Sequence, residues 1–148
     1  MGGTTPIEVL IVEDNAGDVE LAKEALRDTS FPVNLHVARD GEEAMHFLRH
    51  EVDESGVPLA DLVLLDLNMP KKNGHEVLEE MKRDSDLRLI PVIVFTSSSA
   101  REDIERAYDR YANCYITKPG DLDELVKVVR AIESFWLNVV RLPRRVVA

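Results

Sequence analysis

Cysteine is almost missing from this sequence. Cys114 is the only one among 148 residues, so neither an intramolecular disulfide nor a cysteine-based zinc site can form. Nothing in the composition then requires an oxidising compartment. Positive charge is also scarce: Lys and Arg total 18 against 28 Asp and Glu, a formal net charge of −10. So acidic a chain repels the phosphate backbone of nucleic acid and the surface of an anionic membrane, and neither is an expected partner. Long apolar runs are lacking too, and none reaches the length of a membrane span. The opening Met1-Gly2-Gly3-Thr4-Thr5-Pro6 has neither the basic segment nor the apolar run of a secretory signal. A soluble cytoplasmic protein is the expectation.

What is present is the mixture of an ordinary globular domain: 45% hydrophobic and 31% charged residues in a length that suits one domain. Short apolar runs recur between charged, periodic segments. Ile7–Val12, Leu62–Leu65 and Val92–Phe95 are rich in β-branched and aliphatic residues and read as strands buried on both faces. Val33–Ala38 alternates and suits an edge strand with one wetter face, and Cys114–Thr117 is a brief fifth candidate. Between them, apolar residues at helical spacing predict helices, such as one after Val12 carrying Val19, Ala22, Ala25 and Leu26. Further helices are expected over Gly41–His50, Gly74–Arg83 and Ala100–Tyr111, and a long last one over Asp121–Val140. Residues 51–60, with Ser55, Gly56 and Pro58, read as a surface loop. The alternation β-α, five times over, predicts a three-layer αβα domain on a parallel sheet. Residues 7–140 form the expected domain, with tails over 1–6 and 141–148.

In an open parallel sheet, ligands bind beyond the carboxyl ends of the strands. Glu13 and Asp14 follow the first run, Asp66 ends the third, Thr96 follows the fourth, and Lys118-Pro119 follows the fifth. Crowded carboxylates repel one another unless protons or a cation compensate. Their hard oxygens suit Mg²⁺, which keeps water and bridges to phosphate. A lysine and a threonine hydroxyl can pair with phosphoryl oxygens. The set suits phosphoryl transfer, with a carboxylate as nucleophile.

Those residues, as Val12-Glu13-Asp14-Asn15, Leu64-Leu65-Asp66-Leu67-Asn68-Met69-Pro70 with Gly74, Phe95-Thr96-Ser97 and Thr117-Lys118-Pro119, resemble the receiver domain of two-component response regulators. Each motif alone is weak; all four in order at the correct strand ends are specific. The resemblance covers residues 7–133. It implies a flavodoxin-like sheet of order 2-1-3-4-5, with Asp66 as the phosphorylated aspartate and a sensor histidine kinase as partner. It further implies Mg²⁺ held by Glu13, Asp14, Asp66 and the backbone carbonyl of Asn68. Thr96 and Tyr115 become the switch residues, Lys118 the phosphoryl-pairing lysine, and Lys118-Pro119 a cis peptide bond. The stretch Asn113–Lys118, the run Ile132–Leu137, Leu142-Pro143 and the loop at 51–60 are similar to small stand-alone regulators paired with phytochrome-type kinases. On that resemblance the protein is a signalling domain rather than an enzyme, and its output passes through an unidentified downstream protein.

Blander readings exist for each residue. Asp66 alone could cap a turn, Glu13 and Asp14 could cap the first helix, and Ser97, Ser98 and Ser99 could form a capping loop. A haloacid-dehalogenase-like phosphatase also carries a strand-end Asp, but it places a second acid two positions on, where this chain has Asn68. A binding module that no longer uses phosphate is a third reading, against which the intact acids, Thr96 and Lys118 argue. His46 and His50, spaced i, i+4, read as a solvated helix face. The last helix carries Leu122, Leu125, Val129, Ile132 and Trp136 on one stripe and Val128, Phe135 and Val139 on another. Two apolar faces exceed the needs of one core, so a homodimer through this helix is expected.

Overall fold

The structure, a computed structural model, describes residues 5–27 and 32–143. The expected tails over 1–6 and 141–148 fall mostly outside the described residues, including Arg144 and Arg145.

Among the described residues five strands and five α-helices alternate: β1 (Ile7–Val12), α1 (Ala16–Arg27), β2 (Val33–Ala38), α2 (Gly41–His50), β3 (Leu62–Leu65), α3 (Gly74–Arg83), β4 (Val92–Thr96), α4 (Arg101–Asp109), β5 (Cys114–Thr117) and α5 (Leu122–Ile132). All pairings are parallel, in the order β2-β1-β3-β4-β5, as expected. Side chains alternate across the sheet, so each strand feeds two cores. Leu10, Val12, Val63, Leu65, Val92 and Val94 face α2, α3 and α4. Val9, Ile11, Leu62, Leu64 and Ile93 face α1 and the C-terminal helix. The continuous apolar runs of β1, β3 and β4 are thus explained by burial on both sides. At the edge, β2 keeps only Ala38 fully buried.

Caps decide where the helices begin. Asn73 accepts from the backbone N–H of Glu76 and Glu76 reaches back to that of Asn73, a reciprocal box that starts α3. Asp40 caps α2 and Asp121 caps α5. In α1 the capping side chain is Asn15, which accepts from Asp18 N at 2.9 Å, so the acids before it are released for other work. Residues 51–60 form a compact loop closed by a bridge between Val52 and Pro58, with Gly56 at φ +82° turning the chain.

The last helix differs from its sequence expectation. After Ile132 it widens into a π-helical segment, Glu133–Val139, closed by Val140 N donating to Phe135 O at 2.9 Å. Its i→i+5 bonding moves the buried side by one residue. Ile132, Leu137 and Leu142, spaced by five, reach the core together. Trp136, which α-helical spacing puts on that stripe, is only half-buried, and Leu122 is exposed. Leu142 belongs to the packed domain rather than to a tail.

Candidate functional site

Parallel register assembles the site. Val12 pairs with Leu65, so Glu13 and Asp66 emerge side by side, and Asp66 N donates to Val12 O at 3.0 Å. Thr96 pairs with Thr117, and Lys118 N donates to Thr96 O at 2.7 Å. Glu13, Asp14, Asp66, Thr96 and Lys118 therefore meet at one edge because four strands end level with one another.

Asp66 is buried, and its two oxygens differ. Oδ1 accepts from the Thr96 hydroxyl at 2.6 Å and from Asn68 N at 3.2 Å. Oδ2 lies 3.6 Å from the Lys118 ammonium. Thr96 is itself fully buried. Glu13, Asp14 and Asp66 each present an oxygen within 4.8 Å of the others. Glu13 and Asp66 are buried, whereas Asp14 faces solvent. Beside Asp14 a solvent-open cleft of about 470 Å³ is lined by Asn68, Met69, Asn73 and His75.

Lys118 offsets part of this negative charge. The buried Lys118 side chain bonds Glu13 Oε1 and, at 2.9 Å, Asp18 Oδ2. Burial pulls Lys118 down, but bonds to Glu13 and Asp18 and the charge of Asp66 outweigh it and hold the ammonium above its usual value. Burial pushes Glu13 up to about 7, assisted by Asp66 and resisted by Lys118. Asp18 was not anticipated. Its signal was a carboxylate one helical turn beyond Asp14, but only the tertiary approach of α1 to the end of β5 brings it to Lys118.

Tyr115 points inward. Its ring packs against the core that holds Val94, and its hydroxyl donates to Ser98 O at 2.8 Å. The cis bond expected between Lys118 and Pro119 is not found, since no peptide bond among the described residues is cis. Trans is the intrinsic preference even before proline, by about 0.5–1 kcal/mol, and Lys118 reaches its carboxylates from it. His46 and His50 stack on the exposed face of α2 with ring centroids 4.3 Å apart. Val128 is half-buried against α1 and the sheet, while Leu122, Phe135 and Val139 are 65%, 53% and 66% exposed.

Gly74 sets how closely α3 approaches the site. A Cβ there would overlap the Asp66 carbonyl oxygen and sit 2.7 Å from Leu67 Cα, both backbone atoms. Only glycine lets the α3 N-terminus pack against the strand end that carries Asp66.

Comparison with known proteins adds four findings. The response regulator receiver domain family matches residues 9–130. Response regulator Rcp1 of Synechocystis sp. is 44% identical over 138 residues, which is 93% of this chain and 94% of that protein. The crystal structure of the phosphorylated cyanobacterial phytochrome response regulator RcpA superimposes with a TM-score of 0.88 at 45% identity, covering 94% of this chain and 99% of that one. The Mn²⁺-bound form of Rcp1 superimposes with a TM-score of 0.87 at 44% identity, covering 93% of this chain and 99% of that one.

Proposed function

Since this chain belongs to the response regulator receiver domain family, we propose that Asp66 accepts the phosphoryl group of a two-component phosphorelay. The carrying observation is the asymmetry of Asp66: Oδ1 is held by Thr96 and Asn68 N, and Oδ2 faces the Lys118 ammonium at 3.6 Å. Oδ2 attacks phosphorus, a new O–P bond forms, and the N–P bond to the donor histidine breaks. The leaving imidazole stays with the kinase. Lys118 then exchanges part of its carboxylate pairing for the new phosphoryl oxygens, and the Thr96 hydroxyl turns from Oδ1 to the same group. These movements bias the α4-β5-α5 surface between two states, which is how the signal leaves the domain.

The donor set of Glu13, Asp14 and Asp66 fits a hard divalent cation. We propose Mg²⁺, held by these three and by the Asn68 backbone carbonyl. When bound it neutralises charge on the transferring phosphoryl oxygens. The residues' own part is to hold Asp66 in place and keep Lys118 within reach.

The likeness to RcpA and Rcp1 over nearly their whole length supports a phytochrome-type sensor histidine kinase as partner. Such a donor works in the cytoplasm, the compartment we propose. No helix among the described residues is long and apolar enough to cross a membrane. Exposed Phe135 and Val139 support a homodimer through the π-helical extension of α5. A phosphatase reading needs an acid two residues after the nucleophile, and Asn68 supplies none.

The direct experiment is phosphotransfer. Wild-type protein should be labelled from a histidine kinase, or from acetyl phosphate with Mg²⁺, and Asp66→Asn should not. Full labelling of Asp66→Asn would refute the assignment, and rapid turnover of phosphate esters would favour a hydrolase.

A further inference from the structure

The loop that follows Asp66 is closed at its ends and rests on a third point. Gly74 N donates to Leu67 O at 3.1 Å, which closes it. Asn68 N donates to Asp66 Oδ1 at 3.2 Å, so the peptide beside Asp66 is held as well. The third point is Gly41, the buried first residue of α2. A Cβ at Gly41 would overlap the Lys72 carbonyl oxygen and sit 2.6 Å from Lys72 Cβ and 2.7 Å from Lys72 C. Two of these three atoms are backbone, so a side chain here is admitted only if the loop moves. Ion pairs flank the contact. Asp40, the α2 cap, takes Lys71 at 3.6 Å, and Lys72 bonds Glu80 on α3. Lys71 itself has φ +62°, a left-handed conformation that costs a lysine energy and persists where the surroundings impose it. Helix α2 is thus fitted to the loop, although it carries none of the site residues.

We propose that Gly41 is a positioning residue for the divalent cation: by letting α2 seat against Lys72, it fixes the loop that presents the Asn68 backbone carbonyl. The reasoning is mechanical. Gly74 is pressed on the Asp66 carbonyl and bonded to Leu67, so a displacement of Lys72 is passed along the closed loop to Asn68. A carboxylate follows a shifted ion by rotating about its side-chain bonds. A backbone carbonyl lies in a rigid peptide plane and follows only if its loop moves. Of the four proposed ligands, Asn68 is therefore the one that most needs support from behind, as groups around a metal commonly give. The inference rests on the reading of Glu13, Asp14, Asp66 and Asn68 as cation ligands.

The test uses Mn²⁺, whose free ion is counted by its electron paramagnetic resonance signal. Gly41→Ala should raise the Mn²⁺ dissociation constant about tenfold, the lower end of what supporting groups around a metal contribute. Gly56→Ala is the comparison. It also strains the fold, because Gly56 has φ +82°, but it lies in the 51–60 loop and should bind Mn²⁺ as the wild type does. A second pair of variants does not depend on Gly41→Ala folding. Lys71 is exposed, and Lys71→Gly and Lys71→Asn remove the same charge. Asn keeps the left-handed turn populated, whereas Gly frees the loop. Lys71→Gly should bind Mn²⁺ about threefold more weakly than Lys71→Asn, the change that glycine's extra backbone freedom supports. Wild-type affinity in folded Gly41→Ala, or equal affinities in the two Lys71 variants, would overturn the proposal. Failure of the cation reading shows differently, as an Asp14→Ala protein that binds Mn²⁺ as tightly as the wild type, and it removes this proposal too.

Discussion

The Thr96 hydroxyl donates to Asp66 Oδ1 at 2.6 Å from a fully buried position at the end of β4. The pair joins adjacent strands β3 and β4 at the site itself. Thr96→Val keeps the shape and the strand preference but leaves the carboxylate short of a donor. A loss of about 1–2 kcal/mol is expected, since a hydrogen bond to a charged group is stronger than a neutral one. Urea unfolding at neutral pH measures it, and an unchanged midpoint would mean that the bond contributes nothing.

Glu13 gives the metal-free protein a pH signature. Its ordinary value is 4.5, and burial first, then Asp66, bring it to about 7 in the folded state. Between those values the folded protein keeps a proton that the unfolded chain has released. That contribution is whole below 4.5 and is lost as pH rises through about 7. Lys118, raised above 10.5, has the same sign, but its contribution is lost only at still higher pH. With a chelator present, the urea midpoint should fall between about pH 5 and about pH 8, and Glu13→Gln should flatten the slope. Parallel curves for the two proteins would contradict the prediction.

Gly74→Ala tests the contact between α3 and the strand end. The added methyl meets backbone on both sides, so relief needs movement of α3 or of Asp66. Overpacking of this kind costs about 1–3 kcal/mol. Labelling of Asp66 should fall together with stability, which separates this variant from surface changes that alter neither.

Self-association should depend on the outer face of the C-terminal helix. Phe135→Asp combined with Val139→Asp places charge on two exposed apolar positions and should leave the far-UV circular dichroism of the folded chain unchanged. Light scattering after size exclusion is expected to give a dimer for the wild type and a monomer for the double variant. A wild-type monomer at micromolar concentration, with or without phosphodonor, would remove the dimer.

Much of this architecture can be read from local pattern. The runs Ile7–Val12, Val33–Ala38, Leu62–Leu65 and Cys114–Thr117 coincide with β1, β2, β3 and β5, because strands buried on both faces leave an unbroken apolar signature. Glu13, Asp14, Asp66, Thr96 and Lys118 converge because parallel strands in register end together, a consequence of topology alone. The bond of Lys118 to Asp18 and those of Asp103 to His75 and Ser98 were not legible. They depend on how far α1 leans toward β5 and α3 toward α4, distances that no spacing along the chain encodes. Leu137 was missed for another reason: α-helical counting selects Trp136, and the helix does not stay α-helical.

That change of helical pitch has an evolutionary reading. From Ile132 to Leu137 the buried position advances by five, as the wider π-helical turn requires. Deleting a single residue there would let the helix return to ordinary pitch and leave the direction of the chain beyond it nearly unchanged, because six α-helical residues turn about as far as the seven π-helical ones. A gain or loss of one residue in this helix is therefore absorbed by its pitch and leaves the strand ends that carry Asp66 as they are.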